Sequence, residues 1–302
     1  MTPRPHAAGS EQVALRLVVI GDSTAFTDHR GPQLPATAHL YPNVLARRLE
    51  DALGRPVEVT VLAQAGATVR EAARLATKDR HAQFDVIAPA DAVVVGVGSF
   101  DHAPAGVPAS WQAVVPYLRP ASLRRWLRRQ LHRAYPALVR LRGGRGRRTP
   151  RSEFRRLYRQ LLRQVQGLTQ GRAAGAALGP TSHRAAYYGH RHPGHADAQR
   201  EQLAFARAHG FAAVACWPHV EPYADALNPD GIHWPADAHR AVGNALADAL
   251  LAQLQGSARI GLPSRDRPTV TRGAAGPTAR PDVSVPRATW QAMRDQPGRT
   301  QP

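Results

Sequence analysis

Five short apolar runs recur along the chain, at Leu15–Ile20, Val57–Ala63, Ala92–Val97, Arg172–Leu178 and Phe211–Trp217, with segments of helical spacing between them. Such short apolar runs fit strands buried on both faces, as in a parallel sheet covered by helices. The helical segments are Tyr41–Leu53, Val69–Ala76, Ala196–His209 and Pro235–Leu254. Strand alternating with helix predicts an α/β fold, a three-layer α/β/α arrangement around a central parallel sheet. Ligand sites in open parallel sheets collect at the carboxyl ends of the strands, so the loops closing the first three runs are where chemistry is expected.

The first run ends in Gly21-Asp22-Ser23. A serine on the turn after a buried strand presents its hydroxyl at the sheet edge, with glycine permitting the tight exit and backbone N–H groups left open for an oxyanion. Far downstream stands Asn228-Pro229-Asp230-Gly231-Ile232-His233-Trp234. An Asp-x-x-His spacing in a loop can put Asp230 against one imidazole nitrogen of His233 and leave the other for Ser23. Either motif alone is ordinary turn chemistry. Together they predict a nucleophile, Ser23, with His233 as base and Asp230 as its orienting acid.

These residues resemble the SGNH/GDSL hydrolase superfamily, in which the nucleophile block lies near the N-terminus and the Asp-x-x-His block near the C-terminus. The resemblance covers about Leu15 to Leu254 and implies a flavodoxin-like sheet. It identifies Gly66 with the family's second block, so the Ser23 and Gly66 amides are the expected oxyanion donors. The third block, usually Gly-x-Asn-Asp, falls at Gly98-Ser99-Phe100-Asp101. Phe100 replaces the asparagine that normally binds the oxyanion, and Ser99, Phe100 and Asp101 are expected to reshape the site. A narrower set of strings is similar to the actinobacterial diglucosylglycerate octanoyltransferases: Tyr41-Pro42-Asn43-Val44, Ser99-Phe100-Asp101-His102-Ala103-Pro104, Tyr117-Leu118-Arg119-Pro120, Leu123-Arg124-Arg125-Trp126, Tyr188-Gly189-His190-Arg191-His192 and Asp230-Gly231-Ile232-His233-Trp234. That resemblance implies transfer of a medium-chain acyl group to a glucosylglycerate-type sugar, with a non-asparagine third block as a subfamily mark.

The formal charge of +18 is concentrated in one segment: Leu118 to Gln164 holds 16 arginines and a single acid, Glu153. Two helical repeats run through it. One carries Leu123, Trp126, Leu127, Leu131, Ala134 and Leu138, the other Phe154, Leu157, Tyr158, Leu161, Leu162 and Val165. The expectation is a basic helical cap, inserted at about 105–168, in which Arg119, Arg124, Arg125 and Trp126 meet substrate through anion-binding arginines and an apolar face. A solvated basic face, in a chain whose only lysine is Lys78, is the competing reading. Tyr188 and His192, in a Gly- and His-rich loop, are expected sugar contacts on the subfamily resemblance. No carboxylate or cysteine stands at ligand spacing to them, so no metal is expected. Cys216, the single cysteine, lies in an apolar run and is expected to be structural.

Residues 1–13 are expected to form a flexible N-terminus and 14–254 one catalytic domain. From 255 to 302 the Pro, Arg, Gly, Thr and Ala composition predicts a disordered tail. The start carries no apolar signal-peptide core, and no apolar run reaches the roughly 18 residues of a membrane helix, which points to a cytoplasmic protein. The expected activity is serine-dependent acyl transfer with no bound cofactor, an acyl-CoA or acyl carrier protein serving as donor. An esterase acting on carbohydrate or lipid esters uses the same residues. Charge alone would favour a non-enzymatic binder of nucleic acid or anionic membrane, but no nucleic-acid motif supports one and no nucleic-acid partner is expected. Oligomeric state is left open.

Overall fold

In the computed structural model, which describes residues 13–107 and 117–259, the five apolar runs form one parallel sheet. Its strands are β1 (Leu15–Gly21), β2 (Val57–Ala63), β3 (Ala92–Gly96), β4 (Ala174–Leu178) and β5 (Ala212–Val214), in the order β2-β1-β3-β4-β5. β1 lies between β2 and β3, with Leu17 facing Val59 on one side and Ala92 on the other. The chain therefore reverses its winding at the β1/β3 boundary, the crevice where open α/β sheets place ligands. The expected three-layer α/β/α architecture is what the protein adopts.

Side-chain alternation along β1 divides the core. Leu15, Leu17 and Val19 point to one face, where they meet Tyr41, Leu45 and Leu49 of α1 (Tyr41–Leu53) and Val242, Leu246 and Leu250 of the closing helix Ala236–Arg259. Val18 and Ile20 point to the other, against α2 (Val69–Lys78) and Phe154, Tyr158, Leu161 and Leu162. Local signals fix the helix ends. Pro42 sits in the first turn of α1, and Gly54 closes it at φ +63°, donating its N–H to the Glu50 carbonyl. Thr68 and Glu71 cap α2 reciprocally.

The basic segment divides in two. α3 (Ala121–Leu141) buries Tyr135 and Val139 against Ala103, Val107, Ala185 and Tyr188. α4 (Arg151–Leu168) is no cap: its whole apolar stripe is buried against the sheet and α2, so it completes one of the two helical layers. Its arginines face outward, and Arg151 and Arg155 both pair with Glu201 of α5 (His195–Ala208). The fifth apolar run keeps only three residues as strand, because Trp217-Pro218 starts a helical turn after Cys216. The closing helix, α6 (Ala236–Arg259), continues beyond the expected end at Leu254. A π-helical segment, His81–Ile87, occupies a stretch with no sequence signal. The expected N-terminal and C-terminal tails, apart from these last helical residues, lie outside the described residues. Among the described residues no helix is long and apolar enough to cross a membrane.

Candidate active site

β1 delivers Ser23 to the carboxyl edge of the sheet. Gly21 keeps the exit close-packed, since an added Cβ would stand 3.3 Å from both Ala25 and the Tyr41 hydroxyl and press on them. Asp22 then caps the turn Ser23–Ala25, its Oδ1 accepting from the Thr24 amide at 3.0 Å and the Thr24 hydroxyl at 2.7 Å. Burial pushes the Asp22 carboxyl up from its ordinary range, against the Thr24 hydrogen bonds and the charge of nearby His233. Beyond the turn, Asp28 accepts from the Arg30 amide, Gln33 and His39 and pairs through its backbone with Trp234. His239 takes the Tyr41 amide on Nδ1 and donates Nε2–H to the Thr27 carbonyl, so α1 and α6 together hold the segment after Ser23.

The distal loop is as tightly specified. Asp230 Oδ1 accepts the Ile232 amide at 2.7 Å and the His233 amide at 3.2 Å, while Asn228 Oδ1 accepts the Asp230 amide at 3.2 Å. Gly231, at φ +71°, lies so close to Arg184 and Ala185 that no side chain fits, and its carbonyl accepts the Arg184 amide. The other carboxylate oxygen, Asp230 Oδ2, is 2.6 Å from His233 Nδ1, and His233 Nε2 is 2.9 Å from Ser23 Oγ. With Nδ1–H donated to Asp230, Nε2 is left to accept the serine proton. Burial raises the Asp230 pKa, but the hydrogen bond and charge of His233 and the two loop amides outweigh it, leaving the carboxyl below its ordinary value and ionised near neutrality. Residues 210 positions apart in sequence thus form a continuous relay.

Gly66 turns the chain at φ +66° just before α2. Neither its amide nor that of Ser23 has a protein acceptor among the described residues. The Phe100 ring lies against it, with Cε1 3.3 Å from where a Gly66 Cβ would be, and the Arg148 guanidinium covers the ring at 3.9 Å. Ser99 turns aside and accepts the Thr181 amide on Oγ at 3.0 Å. Asp101 is fully buried, accepting the Val69 amide at 2.8 Å and the Thr149 hydroxyl at 2.6 Å; burial drives its pKa up to about 7. Third-block residues therefore shape the wall beside Gly66.

The remaining expected contacts are placed differently. Arg119, Arg125 and Trp126 are exposed, Trp126 by 51%, and nothing described ties them or Arg124 to the relay. The ring contacts of α3 come from its C-terminal half, where Tyr135 stacks on Tyr187 at 4.5 Å. Tyr188 and His192 point inward: Tyr188 is 5% exposed among Tyr135, Tyr187 and His183, and His192 Nε2–H donates to the His102 carbonyl at 3.0 Å. Burial pulls the His192 pKa down to about 3, so this imidazole stays neutral. Their place is in the packing that carries the loop beside Asp230. Among the described residues no group of three or more His, Cys, Asp or Glu side chains is arranged to hold a metal. Cys216 is buried, which pushes its thiol pKa up. Sequence reasoning missed Gln202, fully buried, whose Nε2 donates to the Val97 and Leu178 carbonyls and ties the ends of β3 and β4 together. No local signal marks it, because both of its partners are distant backbone atoms.

An open α/β sheet with a Ser–His–Asp relay at its switch point is the arrangement of serine-dependent esterases and acyltransferases. The chain belongs to the GDSL-like lipase/acylhydrolase family, whose sequence profile matches residues 17–246. It is 28% identical over 254 residues to the diglucosylglycerate octanoyltransferase of Mycolicibacterium hassiacum, covering 82% of this chain and 97% of that one. To the enzyme of the same name from Mycobacterium tuberculosis it is 27% identical over 236 residues, covering 78% and 91%. Among solved structures, a lipase/acylhydrolase from Enterococcus faecalis shares the fold at TM-score 0.50 and 14% identity, over 79% of this chain and 96% of that one.

Proposed function

We propose that the protein is an acyltransferase that moves a medium-chain, octanoyl-like group from a thioester donor to a hydroxyl of a glucosylglycerate-type sugar through an acyl-Ser23 intermediate. The observation that carries the chemistry is the relay, with Ser23 Oγ, His233 Nε2, His233 Nδ1 and Asp230 Oδ2 linked at 2.9 and 2.6 Å beside two open amides. The choice of donor and acceptor rests on the similarity, along most of both chains, to the two octanoyltransferases. An acyl-CoA or acyl carrier protein as donor accords with a cytoplasmic location.

In the first half-reaction Ser23 Oγ attacks the thioester carbonyl and its proton passes to His233 Nε2. Asp230 keeps Nδ1–H in place and stabilises the imidazolium. The Ser23 and Gly66 amides hold the oxyanion. Collapse breaks the carbon–sulfur bond, and the leaving thiolate takes the proton from His233. A sugar hydroxyl then gives its proton to His233 and attacks the acyl-serine; collapse forms the sugar ester and returns the proton to Ser23. Water in place of the sugar gives hydrolysis with the same groups.

Intact-protein mass spectrometry after mixing with octanoyl-CoA tests both halves. The expected result is one octanoyl adduct on Ser23, discharged faster when glucosylglycerate is added and absent from Ser23→Ala. Acylation of a folded Ser23→Ala protein would overturn the nucleophile. Discharge at one rate with and without sugar would make the protein a hydrolase.

A further inference from the structure

Arg148 has no partner that accounts for its position. It lies in the loop between α3 and α4, and its neighbours fasten that loop to the third block. The Ala105 amide donates to the Gly146 carbonyl at 3.1 Å, Arg147 bridges Pro104, and Thr149 bonds Asp101 through both its amide and its hydroxyl. Gly146 cannot carry a side chain without striking the Ala105 carbonyl. The backbone on either side of Arg148 is thereby fixed, and its guanidinium lies over Phe100, with its central carbon 3.9 Å from the ring centroid and one ring away from Gly66. Arg148 thus stands on the far side of the Phe100 ring from Gly66.

Three nearby arginines have carboxylate partners. Arg151 and Arg155 pair with Glu201, and Arg70 pairs with Glu153. Among the described residues no carboxylate pairs with Arg148, and none of its N–H groups has an acceptor. A half-buried guanidinium held over a ring with its N–H groups unpaired can offer two of them to a carboxylate in a bidentate pair. Stacking on Phe100 holds the side chain in advance of binding, which lowers the ordering cost when the anion arrives.

We propose that Arg148 is the carboxylate-recognition residue for the sugar acceptor, pairing with its glycerate group while a sugar hydroxyl faces the acyl-serine. This deepens the acyltransferase reading and rests on it for the identity of the acceptor. The position favours the acceptor over the donor. Phosphates of a coenzyme A thioester stand a whole pantetheine arm from the reacting carbonyl, whereas Arg148 is separated from Gly66 by a single aromatic ring.

Calorimetric titration needs no turnover and so tests this independently of the acyl-transfer reading. The parent, Arg148→Ala and Arg148→Lys are titrated with glucosylglycerate, with uncharged glucosylglycerol and with coenzyme A, and circular dichroism establishes that each variant is folded. The parent is expected to prefer the acid over the neutral glycoside by roughly 10- to 100-fold, the range of a charge-assisted pair. Arg148→Ala should collapse that preference to within a few-fold, and Arg148→Lys should restore only part of it, since an ammonium lacks the fork. An unchanged preference in folded Arg148→Ala, or no preference in the parent, overturns the assignment. Weakened coenzyme A binding with the glycoside preference intact overturns it in favour of the donor phosphates. A parent that binds the acid selectively yet never forms an acyl-serine leaves Arg148 in place and removes the transferase.

Discussion

Replacing Asp101 with asparagine should make the protein more stable at neutral pH while leaving it little changed in acid. Asp101 has no exposure and accepts two hydrogen bonds, from the Val69 amide and the Thr149 hydroxyl. Burial nevertheless raises its carboxyl from 3.8 to about 7. The folded protein therefore binds this proton more tightly than the unfolded chain does. Its contribution to stability is intact below the unfolded value, falls as pH rises through the interval up to about 7, and is level above that. At about 1.4 kcal/mol per pH unit, ionisation costs the fold roughly 4 kcal/mol as an upper figure. Asparagine cannot ionise, and it can keep both links: Oδ1 accepts the Val69 amide, and Nδ2 donates to a Thr149 hydroxyl that has rotated to accept. Urea unfolding of parent and Asp101→Asn at a series of pH values from 4.5 to 8 isolates the effect, because every other titrating group is shared. The two should lie within about 1 kcal/mol at the acid end and separate by several kcal/mol at pH 8, with the variant the more stable. Parallel pH profiles would show that Asp101 is not the titrating group. A variant weaker at every pH would show that the ionised carboxylate is needed to hold Val69 and Thr149.

Two further outcomes concern the relay and its wall. Asp230→Asn should lower turnover by about three to four orders of magnitude with the fold retained, since an amide in that place no longer favours the His233 tautomer that leaves Nε2 free; steady-state rates that match the parent would remove Asp230 from the relay. Phe100→Asn should bring no gain in rate and should lower the melting temperature, because Gly66 and Arg148 lose the ring between them and the cation–π contact alone is worth about 0.5–2 kcal/mol; a faster enzyme would mean that the missing asparagine limits the native site.

What could be read in the sequence were features whose cause is local. The apolar run that becomes β1, the helical spacing of Tyr41–Leu53 and the Asp230-x-x-His233 pair each act over a few residues, and each appears in the fold as read. Long-range partners left no such mark. α4 has the same arginine-studded stripe as α3, and only the third dimension shows that Phe154 to Val165 face the sheet whereas the first turns of α3 leave Leu123 and Trp126 exposed. Gln202 reads as one more polar residue of an amphipathic helix, yet it is buried because two strand-end carbonyls need its amide. Charge density marks Arg119, Arg124 and Arg125 in the sequence, while Arg148 is distinguished only by what its neighbours hold it against.

The third block and the insertion are best understood as one device. In the family pattern the third-block asparagine reaches the oxyanion by itself; here its place is taken by a ring that has no donor and would be poorly covered if the insertion were absent. The insertion loop supplies the cover, since Gly146 and Thr149 clamp it to Ala105 and Asp101 and so bring Arg148 down on Phe100. Asp101 also holds the first amide of α2, immediately after the Gly66 turn, so the same carboxylate that fastens the loop also positions that turn. Phenylalanine in that place therefore offers no side-chain hydrogen-bond donor and, through the insertion, carries a cation on its outer face.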